Sequence, residues 1–160
     1  MNKKTDRVPP FALLVAEDSE LDRDFLREAF DELDFDVELL FVGDGEELLD
    51  YLCRRNAYSD EKLSPTPTLV LMDLNMPRMN GMAALKILRA DPTLCVLPVI
   101  VLSTANDPKQ IAQAYAYGIN AYLSKPERIE DMIEMVRRFG EFWLHETKLP
   151  DLHLLQSEEG

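Results

Sequence analysis

Four short apolar runs end on polar residues of complementary chemistry, and this pattern constrains the chain more than any other feature. Residues 11–16 (FALLVA) lead into Glu17-Asp18, residues 69–72 (LVLM) into Asp73, residues 99–102 (VIVL) into Ser103, and residues 121–124 (AYLS) into Lys125. Runs of this kind suit strands of a parallel sheet buried beneath helices on both faces. In an open parallel sheet the carboxyl ends of the strands share one edge. Three carboxylates, a hydroxyl and an ammonium are therefore expected to converge at that edge.

Helical patterns alternate with the strand patterns, as parallel strands joined by crossover helices require. Ser19 or Asp18 can cap a helix over residues 20–33, whose apolar positions Leu21, Phe25, Ala29 and Leu33 fall on one face. Residues 37–42 form a further strand, and Gly43-Asp44-Gly45 turns it into a helix carrying Leu48, Leu49 and Leu52. The turn at residues 75–81 leads to a helix through Leu85 and Leu88 that Asp91-Pro92 stops. Asn106-Asp107-Pro108 opens a short helix through Ile111 and Tyr115, which Gly118 ends. A last helix covers residues 128–145. The expected fold is α/β: a doubly wound, five-stranded parallel sheet over residues 9–146, followed by a tail, 147–160, that is disordered or docks on a partner subunit. The polar, proline-bearing stretch 54–68 is expected to be a mobile surface loop.

With 17 basic against 30 acidic residues the formal charge is −13, which repels nucleic acid phosphates. No apolar run is long enough to span a membrane, and the charged start lacks a signal-peptide core. A cytoplasmic protein is expected, with neither nucleic acid nor membrane as partner. Cys53 and Cys95 have no nearby second thiol and read as packing residues.

The rim chemistry carries its own implication. Two carboxylates about 4 Å apart repel by roughly 4 kcal/mol at an effective dielectric of about 20, and a third adds to this. Such a cluster calls for a hard cation. Mg²⁺ keeps several waters and binds through one or two carboxylates plus phosphate oxygens, which suits a site that admits and releases a phosphoryl group. Lys125, costly to desolvate alone, would find its anionic neighbour in Asp73.

Glu17-Asp18, Asp73-Leu74-Asn75-Met76-Pro77, Ser103-Thr104-Ala105, Tyr122 and Lys125-Pro126 together resemble the receiver domains of two-component response regulators. The resemblance implies the flavodoxin-like strand order 2-1-3-4-5 and transfer of phosphate from a sensor histidine kinase to an aspartate. It makes Asp73 the phosphoacceptor and assigns Mg²⁺ to Glu17, Asp18, Asp73 and the backbone carbonyl of Asn75. It gives Ser103 and Lys125 the phosphoryl oxygens, Tyr122 and Ser103 the switch, and Lys125-Pro126 a cis bond. Thr104 departs from the small residue often found there, Glu127 from phenylalanine, and the 54–68 loop from the usual length.

The segment after Lys125 leaves room for one helix and a tail, so a stand-alone receiver is expected. Ile129, Met132, Ile133, Val136, Phe139 and Trp143 form the sheet-covering stripe of the last helix, while Phe142 and Leu144 fall off it. They either cap the core edge or serve a homodimer built from the last two helices and the fifth strand. Glu141-Phe142-Trp143-Leu144 and Leu149-Pro150 resemble the endings of stand-alone receivers paired with bacterial and cyanobacterial phytochrome kinases. Two rival readings stand beside this one. An adaptor of the same fold would work without phosphorylation. A phosphatase of the haloacid dehalogenase type would place its nucleophile after the first strand and a second aspartate where Asn75 stands.

Overall fold

The computed structural model describes residues 11–156. Its five strands are β1 (Ala12–Ala16), β2 (Glu38–Val42), β3 (Leu69–Met72), β4 (Val99–Ser103) and β5 (Ala121–Ser124). All neighbours are parallel, in the order β2-β1-β3-β4-β5. The helices are α1 (Glu20–Glu32), α2 (Gly45–Leu52), α3 (Gly81–Ala90), α4 (Pro108–Ala116), α5 (Ile129–Gly140) and a short α6 (Leu152–Gln156). None among the described residues is long and apolar enough to cross a membrane.

The period-two geometry of the strands divides the core. Leu14, Ala16, Val70, Met72, Val99 and Val101 face the side covered by α2, α3 and α4. Leu13, Val15, Leu69, Leu71, Ile100 and Leu102 face the side covered by α1 and α5. Because both faces are buried, the strands read as unbroken apolar runs. A one-residue slip would carry each set to the wrong helices, so the register is firmly specified.

That register positions the rim. Ala16 pairs with Met72, and Met72 with Val101. Glu17 and Asp73, each one residue beyond that row, thus leave the sheet side by side. Side chains of Ser19, Asp44, Asn80 and Asp107 cap the helices that follow four of the strands, so each crossover turns promptly and the rim stays uncovered. At the outer edge of the sheet, the Tyr122 N–H donates to the Tyr115 hydroxyl at 3.1 Å.

Four expectations need correction. The last helix does not run unbroken to residue 145: α5 ends at Gly140 and a π-helical segment, Glu141–Glu146, follows. Its i→i+5 winding, seen in the Thr147 N–H to Phe142 carbonyl bond, turns Leu144 onto the core while Phe142 stays 56% exposed. The segment 54–68 is fastened rather than loose. Tyr51 Oη donates to the Pro65 carbonyl at 2.7 Å, Arg54 to the Ser64 carbonyl and Thr66 Oγ1, and Tyr58 Oη to Glu47. Cys53, expected to pack, is exposed. The Lys125-Pro126 bond, expected cis, is trans, as are all the described peptide bonds.

The described part of the tail folds onto its own chain. Leu152 is 3% exposed and joins the core on the α2 side, and His153 Nε2 lies 3.5 Å from Glu61. Residues 157–160 of the expected tail, and residues 9 and 10 at the start of the expected domain, lie outside the described residues.

Candidate functional site

The rim at the carboxyl ends of β1, β3, β4 and β5 gathers the side chains singled out from the sequence. Glu17, Asp18 and Asp73 each place a carboxylate oxygen within 4.8 Å of the others. Glu17 and Asp73 are buried and Asp18 is exposed, so the cluster opens to solvent on one side. Extended β-pairing fixes the two buried acids: the Glu17 N–H donates to the Val42 carbonyl and the Asp73 N–H to the Ala16 carbonyl, both at 2.9 Å. The exposed Asn75 follows, its N–H donating to Asp73 Oδ1 at 3.1 Å.

Lys125 reaches into this cluster from the end of β5. Its Nζ stands 2.7 Å from Glu17 Oε2, 2.8 Å from Asp73 Oδ2 and 2.8 Å from Asp22 Oδ2. An ammonium has three N–H groups, and each finds a carboxylate. Burial opposes the charged form of Lys125, but hydrogen bonds to Asp22, Asp73 and Glu17 outweigh it and hold the ammonium above its ordinary pKa. Burial likewise pushes the Glu17 carboxyl above the usual carboxylate range, against the pull of Lys125 and the Ser19 N–H. The site thus holds more acid than its single ammonium can neutralise. Its donors are hard oxygens, the set that a divalent cation such as Mg²⁺ prefers.

Ser103 and Tyr122 lie beside this centre. The fully buried Ser103 accepts the Lys125 N–H on its carbonyl at 2.9 Å and the Ala105 N–H on Oγ at 3.2 Å. Its hydroxyl proton remains available for a ligand oxygen. Tyr122 is half-buried, and its hydroxyl donates to the Ala105 carbonyl at 2.7 Å. Both residues therefore grip the same backbone turn. Thr104 and Glu127 are exposed at the mouth.

Two features went unrecognised in the sequence. Asp22 is the third carboxylate on Lys125; its signal was position, since a Ser19 cap places it in the first turn of α1 at the open edge of the sheet. The other is a clamp on the β3–α3 turn. Arg78 adopts φ 60°, unfavourable for a residue with a Cβ, and its guanidinium donates to the fully buried Asp44, with Nε to Oδ2 at 2.7 Å. Beside it the Gly45 N–H donates to the Met79 carbonyl at 2.8 Å. A Cβ at Gly45 would lie 2.6 Å from that carbonyl oxygen, and one at Gly81 2.7 Å from the Asp73 carbonyl oxygen. Only glycine permits these approaches.

Comparison with known proteins places this architecture. The family model described as the response regulator receiver domain matches residues 13–137. Response regulator Rcp1 of Synechocystis sp. is 32% identical over 142 residues, covering 89% of this chain and 95% of that protein; the crystal structure of its Mn²⁺-bound form superposes with a TM-score of 0.80. Response regulator RPA3017, in red light signalling of R. palustris, is 43% identical with a TM-score of 0.84, covering 88% of this chain and 99% of that one. The phosphorylated cyanobacterial phytochrome response regulator RcpA is 31% identical with a TM-score of 0.81, again covering 88% and 99%.

Two outcomes follow from the charge balance. Lys125→Ala should lower stability at neutral pH, on the order of 3–5 kcal/mol in a urea titration, and if a divalent cation and the ammonium share Glu17 and Asp73, added Mg²⁺ should recover more in this variant than in wild type. Equal Mg²⁺ responses would show that they do not share ligands. The second concerns Asp44. Burial favours its neutral form, but the Glu47 N–H and Arg78 outweigh this and hold the carboxyl below its ordinary value of 3.8. A depressed carboxylate stabilises the fold above its unfolded pKa and loses that contribution as pH falls through its folded pKa. The stability gap between wild type and Arg78→Ala should be open at pH ~7 and close progressively below pH ~4; a gap independent of pH would remove Asp44 from the account.

Proposed function

This chain belongs to the response regulator receiver family, and from that premise we propose that it accepts a phosphoryl group from the phosphohistidine of a sensor histidine kinase onto Asp73. The observation that carries this reading is the convergence of Glu17, Asp18 and Asp73 within 4.8 Å, with Lys125 Nζ 2.8 Å from Asp73 Oδ2. Glu17, Asp18, Asp73 and the backbone carbonyl of Asn75 would hold Mg²⁺, which when bound neutralises charge on the phosphoryl oxygens.

A carboxylate oxygen of Asp73 attacks phosphorus in line; the O–P bond forms as the P–N bond to the donor imidazole breaks. Lys125 turns an N–H from Asp73 to a phosphoryl oxygen, and Ser103 offers its hydroxyl proton to another. Because Ser103 and Tyr122 both hold the turn at Ala105, drawing Ser103 toward the phosphoryl group shifts the equilibrium of this turn, with Tyr122 following. The output surface is α4, β5 and α5. Hydrolysis of the aspartyl phosphate resets the protein, with exposed Thr104 narrowing the approach of water. The unit that does this is residues 9–146, with 147–160 as its tail, and its purpose is signalling rather than turnover.

We assign the kinase to the phytochrome type, on the likeness to a red-light regulator and to a cyanobacterial phytochrome regulator. A homodimer through α4, β5 and α5 is proposed; on the β5 and α5 part of that face lies a groove of about 550 Å³ where Leu123, Met135, Phe139, Phe142 and Trp143 are bordered by Asp131, Glu134 and Arg138.

Incubated with acetyl phosphate and Mg²⁺, the wild type should gain the mass of one phosphoryl group and Asp73→Asn none, while the circular dichroism of the two remains alike. A wild type without mass gain would favour the phosphorylation-independent adaptor, and full labelling of Asp73→Asn would move the acceptor elsewhere. In analytical ultracentrifugation the phosphorylated wild type should sediment as a dimer and Phe142→Asp as a monomer; an unchanged dimer in the variant would place the interface away from this groove.

A further inference from the structure

We infer that Asp22 is a positioning residue for phosphoryl transfer, anchoring the Lys125 ammonium on the α1 side of Asp73. The inference rests on the reading of Asp73 as phosphoacceptor and extends it to a residue outside the metal-binding set.

The three acceptors of Lys125 differ in what else they can do. Glu17 and Asp73 belong to the cluster whose oxygens lie within 4.8 Å of one another, and Asp22 does not. When a divalent cation draws on Glu17 and Asp73, Asp22 is the carboxylate left to Lys125 alone. It is well placed for the task. Its side chain is 28% exposed against 4% for Glu17 and 10% for Asp73, so it stands at the rim of the acidic cluster rather than within it. Its backbone N–H is held by Ser19 Oγ at 3.3 Å, and α1 is fixed to the core by Leu26, Ala29 and Phe30.

Lys125 needs such an anchor because its flexible four-carbon stem carries a compact charge that does not fix its own direction. With one N–H given to Asp22, the ammonium stays beside Asp73, and another N–H can turn from the Asp73 oxygen to a phosphoryl oxygen as phosphorus arrives. During transfer the Asp73 O–P bond forms as the donor's bond to phosphorus breaks, P–N with imidazole leaving from phosphohistidine or P–O with acetate leaving from acetyl phosphate. Asp22 exchanges neither proton nor electron pair and acts only through Lys125.

Its charge alone would act in the opposite direction. A carboxylate at the mouth repels an anionic phosphodonor, so removing it should speed encounter. Slower transfer on its removal therefore marks positioning.

The test is a double-mutant cycle on the full chain, reading the initial rate of Asp73 phosphorylation by acetyl phosphate with Mg²⁺. In the Lys125 background, Asp22→Ala and the isosteric Asp22→Asn should slow the reaction roughly three- to thirtyfold, a range typical of residues coupled in one network, and Asp22→Glu should recover most of the rate. In the Lys125→Ala background the same changes should cause no slowing. An equal loss in both backgrounds, or none in the first, overturns the inference while leaving Asp73 as the acceptor. A wild type that takes no phosphoryl group removes the reading of Asp73, and this inference with it.

Discussion

The ammonium of Lys125, shared among Glu17, Asp22 and Asp73 at 2.7–2.8 Å, is the interaction on which the organisation of this molecule turns. It draws together the end of β1 with the adjoining start of α1, the end of β3 and the end of β5, three stretches of chain far apart in sequence. The acids it serves would otherwise repel one another in a partly desolvated cleft. The compensation is incomplete, since Asp18 adds a further carboxylate to the same cluster. A fold can tolerate this imbalance where the surrounding core is tightly specified. Here both faces of the central strands are sealed by apolar side chains.

The support of the site extends beyond residues that could touch a phosphoryl group. The turn carrying Asn75 is tied to the start of α2 by Arg78 on Asp44 and by the Gly45 N–H on Met79. Gly81 lets α3 begin against the backbone of Asp73. These contacts place the Asp73 carboxylate on a strand end braced from two sides, as the proposed phosphoryl transfer, which depends on positioning and electrostatics, would require. The β4–α4 turn is held through Ser103 and Tyr122 on Ala105 and through the Ser124 hydroxyl on Asn106 Oδ1.

What could be read directly from the chain was the part governed by local pattern and by the common edge of a parallel sheet. The strand runs, their capped crossovers and the acids at their ends carry short-range signals, and Glu17, Asp18, Asp73, Ser103 and Lys125 emerged from them. The strand order came from family likeness, because no local pattern says which strand neighbours which. Asp22 was obscured by its place in an amphipathic helix, where an exposed acid is ordinary. Arg78 and Asp44 are 34 positions apart, and nothing in either segment announces the other. The π-helical winding after Gly140 departs from the α-helical period, and the facing of Leu144 changes with it. The 54–68 stretch looked loose because its restraints run from side chains to backbone carbonyls, bonds that composition does not reveal.

The bond from the Tyr122 N–H to the Tyr115 hydroxyl has a consequence for how copies of this protein can meet. β5 is the outermost strand on its side of the sheet, and an outermost strand with free amides invites another chain to zip onto it. By occupying an outward amide, Tyr115 withdraws a rung from that ladder. Pairing along this flank through a continuous hydrogen-bonded ribbon is thereby disfavoured relative to association through side-chain surfaces, which can separate again.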